Sequence, residues 1–225
     1  MEATIVKIGG SLAAYPKKLR TLCYSLSKLS KSYPIIIIPG GGEFADVVRI
    51  ADKRFKLSVE ASHRMAILGM DQYGFLLSDL IPGSCVVNQL GAIKKALDLG
   101  DLPIFLPSHF LLAEDSLENS WDVTSDSISV YIAGKLQIRK VILVTDVDGV
   151  YTFNPKEVSD AKLIEILFVK QLETFNQRTS VDKSLAKLLL KLQIECYVVN
   201  GFYPKRLENI LEGQNTVCTL IKNLS

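Results

Sequence analysis

The stretch Ile35-Ile36-Ile37-Ile38-Pro39-Gly40-Gly41-Gly42-Glu43 runs from four isoleucines into three glycines, and its two halves obey different physics. Four β-branched residues in a row are stiff at χ1 and favour a strand. Successive strand side chains point to opposite faces, so an unbroken apolar run is buried on both. That calls for helices above and below a largely parallel sheet. The glycines let the chain turn tightly, and the following residues, Glu43–Arg54, carry helical spacing. A helix N-terminus entered through glycines presents unpaired N–H groups at the positive end of the helix dipole, which suits an anion. A purely structural turn rarely needs three glycines in succession, because each carries an entropic penalty.

The same alternation extends in both directions. Ala3–Ile8, Cys85–Val87, Ile104–Leu106, Val141–Thr145, Glu195–Val199 and Thr216–Ile221 read as further strands. Pro16–Leu29, Glu60–Leu80, Gln89–Leu99, Ser125–Leu136, Asp182–Leu192 and Pro204–Leu211 read as helices. Pro16 and Pro204 suit first-turn positions, and Asp182 suits an N-cap. Ala113–Ser120 and Thr152–Asp160 are the most loop-like stretches, the second expected to move near the active site. The expected fold is α/β, a three-layer α/β/α sandwich with a largely parallel central sheet, formed as one domain over residues 1–225. In such sheets ligands gather beyond the carboxyl ends of the strands, which places the chemistry just after Ile8, Ile38, Leu106 and Thr145.

Composition removes several classes of function. The 225 residues carry a formal charge of only +2, with Lys and Arg interspersed among Asp and Glu, so no nucleic-acid partner is expected. Four cysteines lie far apart with no CxxC pair, which argues against a zinc knuckle, and no structural metal is indicated. Cys23 and Cys196 sit in apolar runs and read as core residues in a reducing compartment. No apolar run approaches the roughly 20 residues that span a bilayer. A strand beginning at Ala3 leaves no room for a signal peptide, and a cytoplasmic location is expected.

Three further segments carry chemistry. Lys7-Ile8-Gly9-Gly10-Ser11 ends the opening strand with a lysine beside a glycine turn, either a phosphate cradle or a plain strand-to-helix turn. Ser120-Trp121-Asp122-Val123-Thr124-Ser125-Asp126-Ser127 opens a helix. There Asp126 either answers the helix dipole or holds lysine ammonium groups in place. Val144-Thr145-Asp146-Val147-Asp148-Gly149-Val150-Tyr151 leaves a buried strand, with Asn154-Pro155-Lys156 downstream, and gathers carboxylates, a turn glycine, a ring and a lysine. Gly40, Gly42 and Ala45 also fit G-x-G-x-x-A, with Glu60 at the spacing of a ribose-binding acid. That acid should end a second strand, whereas Asp46–Lys56 reads as charged helix, so the dinucleotide reading is set aside.

The order K-x-G-G-S, then G-G-G, then T-D-V-D-G-V-Y with a downstream P-K, closing on Asn200-Gly201 and Pro204, resembles the amino-acid-kinase superfamily over essentially the whole chain. Within it, Ser62-His63-Arg64-Met65-Ala66-Ile67, Met70-Asp71, Leu106-Pro107-Ser108, Ser120-Trp121, Thr124-Ser125-Asp126-Ser127, Thr179-Ser180-Val181-Asp182 and Tyr197-Val198-Val199-Asn200-Gly201 resemble the branch that works in methanofuran biosynthesis. The resemblance implies ATP-dependent transfer to the phosphate of an aminomethylfuran-methanol ester, giving the diphosphate, with Mg²⁺ accompanying ATP and a homo-oligomer as the assembly. It implies Lys7 and Asp126 as catalytic groups and Gly9, Gly10 and Ser11 at the β- and γ-phosphates. Asp146, Gly149, Tyr151 and Lys156 then belong to the nucleotide site, in a part of the chain beginning near residue 135, and Gly40, Gly41 and Gly42 to the acceptor side.

Lys183 stands where the acetylglutamate-kinase branch has a second catalytic lysine. Yet Val181-Asp182 with Leu185-Ala186 resembles the uridylate kinases, which have none there, so a catalytic and a solvent-facing Lys183 are both open. For the acceptor, Arg49 suits a phosphate and Asp71 an ammonium, His63 and Met70 border the pocket, and Trp121 suits a furan ring. Each also has a plain reading, as an exposed helix arginine, a structural carboxylate or a core ring. His109 reads as a loop residue. Two rivals complete the reading: a kinase acting on uridylate or isopentenyl phosphate, and a nucleotide-binding sensor without turnover.

Overall fold

A computed structural model describes residues 2–114, 120–153, 157–158, 160–174, 181–182 and 184–223. The four isoleucines and Pro39 form β2 (Ile35–Pro39), which lies beside β1 (Thr4–Ile8) in parallel register, Thr4 opposite Ile35 and Ile8 opposite Pro39. The remaining strands are β3 (Ser84–Val87), β4 (Leu102–Phe105), β5 (Lys140–Thr145), β6 (Ile166–Phe168), β7 (Glu195–Asn200) and β8 (Thr219–Lys222). They make one eight-stranded sheet in the order β3-β4-β2-β1-β5-β7-β8-β6. β7 and β8 pair antiparallel while β6 and β8 pair parallel, so the last two strands run against the other six.

Ile36 and Ile38 enter one apolar core, Ile35 and Ile37 the other, as a period of two requires. All four are at most 1% exposed, and burying each such side chain stabilises by about 1.5–3 kcal/mol before chain entropy. One face of the sheet is covered by α1 (Pro16–Leu29) and α9 (Pro204–Glu212), the other by α6 (Ser125–Lys135) and α8 (Leu185–Leu192). The long α3 (Val59–Leu80) feeds both cores, with Ile67 and Met70 in one and Tyr73 and Leu77 in the other. Cys23 and Cys196 are fully buried, as their apolar surroundings require. α2 (Gly42–Phe55) leads straight into α3, so no second strand ends near Glu60, and a dinucleotide-binding unit has no place here.

Several elements differ from the expectation. β8 begins at Thr219, not Thr216. β6 escapes a reading by pattern because it is three residues at the sheet edge, with Ile166 half exposed. α4 (Leu90–Asp98) is as expected, but α5 (Ser108–Glu114) and α7 (Val169–Thr174) are extra short helices. His109 is therefore helical, and the expected loop from Ala113 begins inside α5, residues 115–119 lying outside the described set. Ser184 holds the cap position of α8 without a side-chain cap bond, and the capping expected of Asp182 is made by its carboxylate, which accepts Leu185 N–H at 2.9 Å.

Candidate functional site

β1 lies between β2, which follows it, and β5, which comes much later, so the strand order reverses beside β1. The crevice at the carboxyl ends of these strands is where such a sheet binds ligands. A cleft of about 420 Å³ opens there, walled by Lys7, Gly10, Gly42, Arg49, Trp121 and Ser125 among others.

Its floor is backbone packed on backbone. A Cβ on Gly10 would sit 2.0 Å from the Gly42 nitrogen, and one on Gly40 2.7 Å from the Gly10 nitrogen, so no side chain fits at either position. Gly42 has φ +54°, a conformation that glycine adopts without strain. Not every glycine N–H faces the cleft. Gly9 N–H donates to Val144 O at 2.7 Å and Gly40 N–H to Ile8 O at 2.8 Å, both extending the sheet, and Gly40 does not line the cleft. The N–H groups left for an anion are those at the start of the 3-10 turn Gly10–Ala14 and of α2, which have no acceptor within their own helices. The buried Tyr73 hydroxyl donates to Gly9 O from below at 3.4 Å.

Beside this floor the Lys7 ammonium lies 2.6 Å from Asp126 Oδ1, with the two side chains only 10% and 8% exposed. Removing one partner of so buried a pair costs about 3–5 kcal/mol unless water reaches the other. Lys7 faces the cleft, while Asp126 stands behind it in the first turn of α6. Asp182 anchors that turn. Its Oδ2 accepts Thr124 N–H at 3.0 Å, the Thr124 hydroxyl at 2.8 Å and Ser127 N–H at 3.0 Å, while Oδ1 accepts the Ser127 hydroxyl and Leu185 N–H at 2.9 Å. Burial raises the Asp182 carboxyl above its ordinary range and the nearby Asp126 charge adds to this, against the lowering by its donors.

The opposite wall comes from α2, α3 and the segment before α6. The Arg49 guanidinium lies 4.9 Å from the Trp121 ring centroid and 2.6 Å from Asp46 Oδ1. Trp121 Nε1–H donates to Asp52 at 3.0 Å, and the buried His63 Nδ1 meets Ser120 O at 3.2 Å. Segment 120–124 is thus pinned to both helices, with Arg49, His63 and Trp121 all at the cleft. Asp71 is placed elsewhere. It accepts Ser108 N–H at 3.2 Å and the Ser108 hydroxyl, bracing the start of α5, and does not line the cleft. One residue along a helix turns the side chain by about 100°, which puts Met70 on the cleft and Asp71 off it.

Beyond β5, the Ser11 hydroxyl donates to Asp146 at 3.0 Å, joining the turns after β1 and β5. Asp148 accepts from Arg206 at 2.6 Å and Asn200 at 2.9 Å. A Cβ on Gly149 would lie 2.3 Å from Thr219 Oγ1, so any larger residue there would have to push that side chain aside. Tyr151 bridges to Leu163, and burial raises its phenol above the usual range, with Asp148 adding to the effect. Asp146, Gly149 and Tyr151 do not line the cleft, although Asp146 is bonded to Ser11, which does. Lys156 and Lys183 lie outside the described residues. Among the described residues no group of three or more His, Cys, Asp or Glu is placed to hold a metal ion.

Sequence reasoning passed over Glu43 and Asp46, which line the cleft, and gave Asp182 only a local capping role. The acids sit in G-G-G-E-x-x-D, a spacing that sets both on the first turns of α2 and could have pointed to them.

Comparison with known proteins agrees with this architecture. Residues 2–200 match the family described as amino acid kinase family. The [5-(aminomethyl)furan-3-yl]methyl phosphate kinase of Methanocaldococcus jannaschii is 40% identical over 217 residues, covering 96% of each chain. An acetylglutamate kinase of Endomicrobium trichonymphae is 25% identical over 73% of this chain and 79% of that one. Among solved structures, the uridylate kinase of Archaeoglobus fulgidus superposes with a TM-score of 0.77 at 19% identity, over 98% of this chain and all of that one, a likeness of fold alone. Shared motifs, a shared fold and a relative this similar over nearly its whole length lead to one statement: the chain belongs to the amino acid kinase family.

Proposed function

We propose that this protein transfers the γ-phosphoryl group of ATP to the phosphate of [5-(aminomethyl)furan-3-yl]methyl phosphate, forming the diphosphate ester and ADP. The observation that carries the reaction type is the buried Lys7–Asp126 pair, 2.6 Å apart, at the edge of a glycine-built cleft. The choice of acceptor rests on the 40% identity to the furan phosphate kinase.

An ionised acceptor phosphate is already a nucleophile, so no general base is needed. One of its oxygens attacks the γ-phosphorus as the bond to the β,γ-bridging oxygen breaks, and that oxygen leaves on ADP. The obstacle is charge of one sign crowded into one site, and the protein answers it by alignment and fixed positive potential. Lys7, held in place by Asp126, would stabilise the charge on the transferring group. The N–H groups opening the 3-10 turn and α2 face the phosphates without reorganising. Arg49, stacked on Trp121, suits the acceptor phosphate, and Trp121 suits the furan ring. With Asp71 bonded to Ser108, Glu43 on the cleft wall is the better counter-charge for the aminomethyl group.

Asp146, Gly149, Tyr151 and Lys156 remain the proposed nucleotide side. Mg²⁺ bound to ATP would neutralise phosphate charge, held mostly by phosphate oxygens and water, with Asp126 and Asp146 as candidates to touch that shell through water. A homo-oligomer is also proposed. Val47, Ile50 and Phe55 on α2 and Met65, Leu68 and Phe75 on α3 are exposed apolar side chains that a second copy would cover, and sedimentation equilibrium tests this. Among the described residues no helix is long and apolar enough to cross a membrane, which accords with the proposed cytoplasmic location.

The test is ADP release with Mg-ATP against the furan phosphate, its alcohol, UMP, isopentenyl phosphate and acetylglutamate. Turnover confined to the furan phosphate is expected. Preference for UMP or isopentenyl phosphate would overturn the acceptor, and ATP binding without turnover on any compound would overturn the enzyme.

A further inference from the structure

We infer that Asp182 is a positioning residue for phosphoryl transfer: by holding the first turn of α6 it fixes Asp126, and through Asp126 the cleft-facing ammonium of Lys7. This rests on the kinase reading above and adds to it a part that neither the cleft nor the ion pair reveals.

The first N–H groups of a helix have no acceptor within it, and a local Ser, Thr, Asp or Asn usually caps one of them. Thr124 is such a residue in α6, yet its oxygen receives Asp126 N–H only at 3.4 Å while its own hydroxyl donates to Asp182 at 2.8 Å. The firm acceptor for this helix start comes from 55 residues further along the chain. One carboxylate takes both the N–H and the hydroxyl of Thr124 and of Ser127, and with a fifth bond it also takes the first N–H of α8. The beginnings of α6 and α8 are therefore tied to a single side chain.

What that tie controls is specific. Thr124 and Ser125 line the cleft, and the next residue, Asp126, grips Lys7. Asp126 shares the same helix turn as Thr124 and Ser127, so a shift of the turn carries its carboxylate with it. Two acids thus divide one buried helix start, one holding the backbone and the other holding the lysine. The nearness of the Asp126 charge is one cause of the upward shift at Asp182. Local capping alone would be served by Thr124 without a second, half-buried carboxylate near the first, at a desolvation cost.

The test is a double-mutant cycle in the full-length protein, Asp182→Asn against Lys7→Ala, with kcat, both KM values and Tm measured for all four proteins. Because Lys7 borders the open cleft, water can reach Asp126 when the lysine is removed, so the reference variant is expected to stay folded. The Asp182→Asn change keeps the shape of the side chain but turns an NH2 group toward donors. A displacement of about 1 Å at a reacting centre costs on the order of 10²-fold, so Asp182→Asn should lower kcat by roughly 10- to 100-fold with KM values within about threefold. In the Lys7→Ala background the same change should cost less than about threefold, since the group it positions is already gone.

Equal losses in both backgrounds, or an unchanged kcat, would overturn the inference while leaving the kinase assignment intact. If Asp182→Asn does not fold, Thr124→Val and Ser127→Ala each remove one hydroxyl donor and enter the same cycle with the same criterion. A wild-type protein silent on every acceptor would remove the proposed function, and this inference with it.

Discussion

The turn after β1 and the turn after β5 leave neighbouring strands at the same edge of the sheet, and they are built on opposite plans. The first packs against the turn after β2 backbone to backbone, Gly10 against Gly42, with no room for a Cβ. The second is held by side chains: Arg206 and Asn200 on Asp148, and Thr219 pressed over Gly149 and accepting Val150 N–H at 2.8 Å. A backbone cradle has no rotamers, so it presents N–H groups to phosphates at almost no entropic cost but cannot adjust. A side-chain brace can lose one contact and keep the rest. The contrast accounts for a rigid transfer end beside a separately braced turn that the resemblance gives to the nucleotide.

Changes in the two turns should accordingly fail by different amounts. Gly10→Ala should have the largest effect, because the added carbon meets the backbone of Gly42 and neither loop can yield. Activity should fall below detection and stability by several kcal/mol, roughly the upper end for overpacking, read by ADP release and thermal melting. Lys7→Ala comes next, with kcat lowered about 10²- to 10³-fold, the range for removing one transition-state donor, and a far smaller change in ATP affinity.

Gly149→Ala should be milder. Its Cβ would press on Thr219 Oγ1 and Leu163 Cδ1, both side-chain atoms, with the Thr219 nitrogen at 3.0 Å. A loss of about 1–3 kcal/mol in a denaturant melt is expected, with kcat largely kept below the new Tm. If Gly149→Ala abolished turnover and Gly10→Ala did not, the contrast would be reversed.

The smallest effect lies outside both turns, at Asp71. Burial raises its carboxyl above 3.8, while hydrogen bonds from Ser108 pull the other way. Just above 3.8 the folded protein retains a proton that the unfolded chain has released. This contribution to stability is therefore present at lower pH and is lost as pH rises through the folded value. Asp71→Asn should flatten that part of the stability curve, visible as a smaller decline in Tm as pH rises above 3.8 relative to the parent protein. A variant with the same slope would show that Asp71 titrates as an exposed acid.

Much of this was legible in the sequence because the physics is local. Four isoleucines announce a doubly covered strand, and Pro16 with the spacing behind it marks α1 to the residue. Lys7 and Asp126 were identifiable as candidates, since a lysine beside a glycine turn and an acid at a helix start are local patterns, and the fold brings them together. What failed to show was choice among equals. Met70 and Asp71 are adjacent on one helix, and only the packing of α5 decides which faces the cleft. Asp182 looked like a cap for its own helix, while most of its donors lie 55 to 58 residues earlier. The reversed direction of β8 and β6 depends on pairing with β7, which no local pattern encodes.

The central claim is that this cleft moves a phosphoryl group onto another phosphate, and the direct test is the phosphorus NMR spectrum of the product. Incubation with Mg-ATP and [5-(aminomethyl)furan-3-yl]methyl phosphate should convert the single monoester resonance into the two coupled resonances of a diphosphate ester, matched by ADP, and Lys7→Ala should slow that conversion. ADP accompanied by inorganic phosphate with the monoester untouched, or a diphosphate formed equally fast without Lys7, would contradict the account.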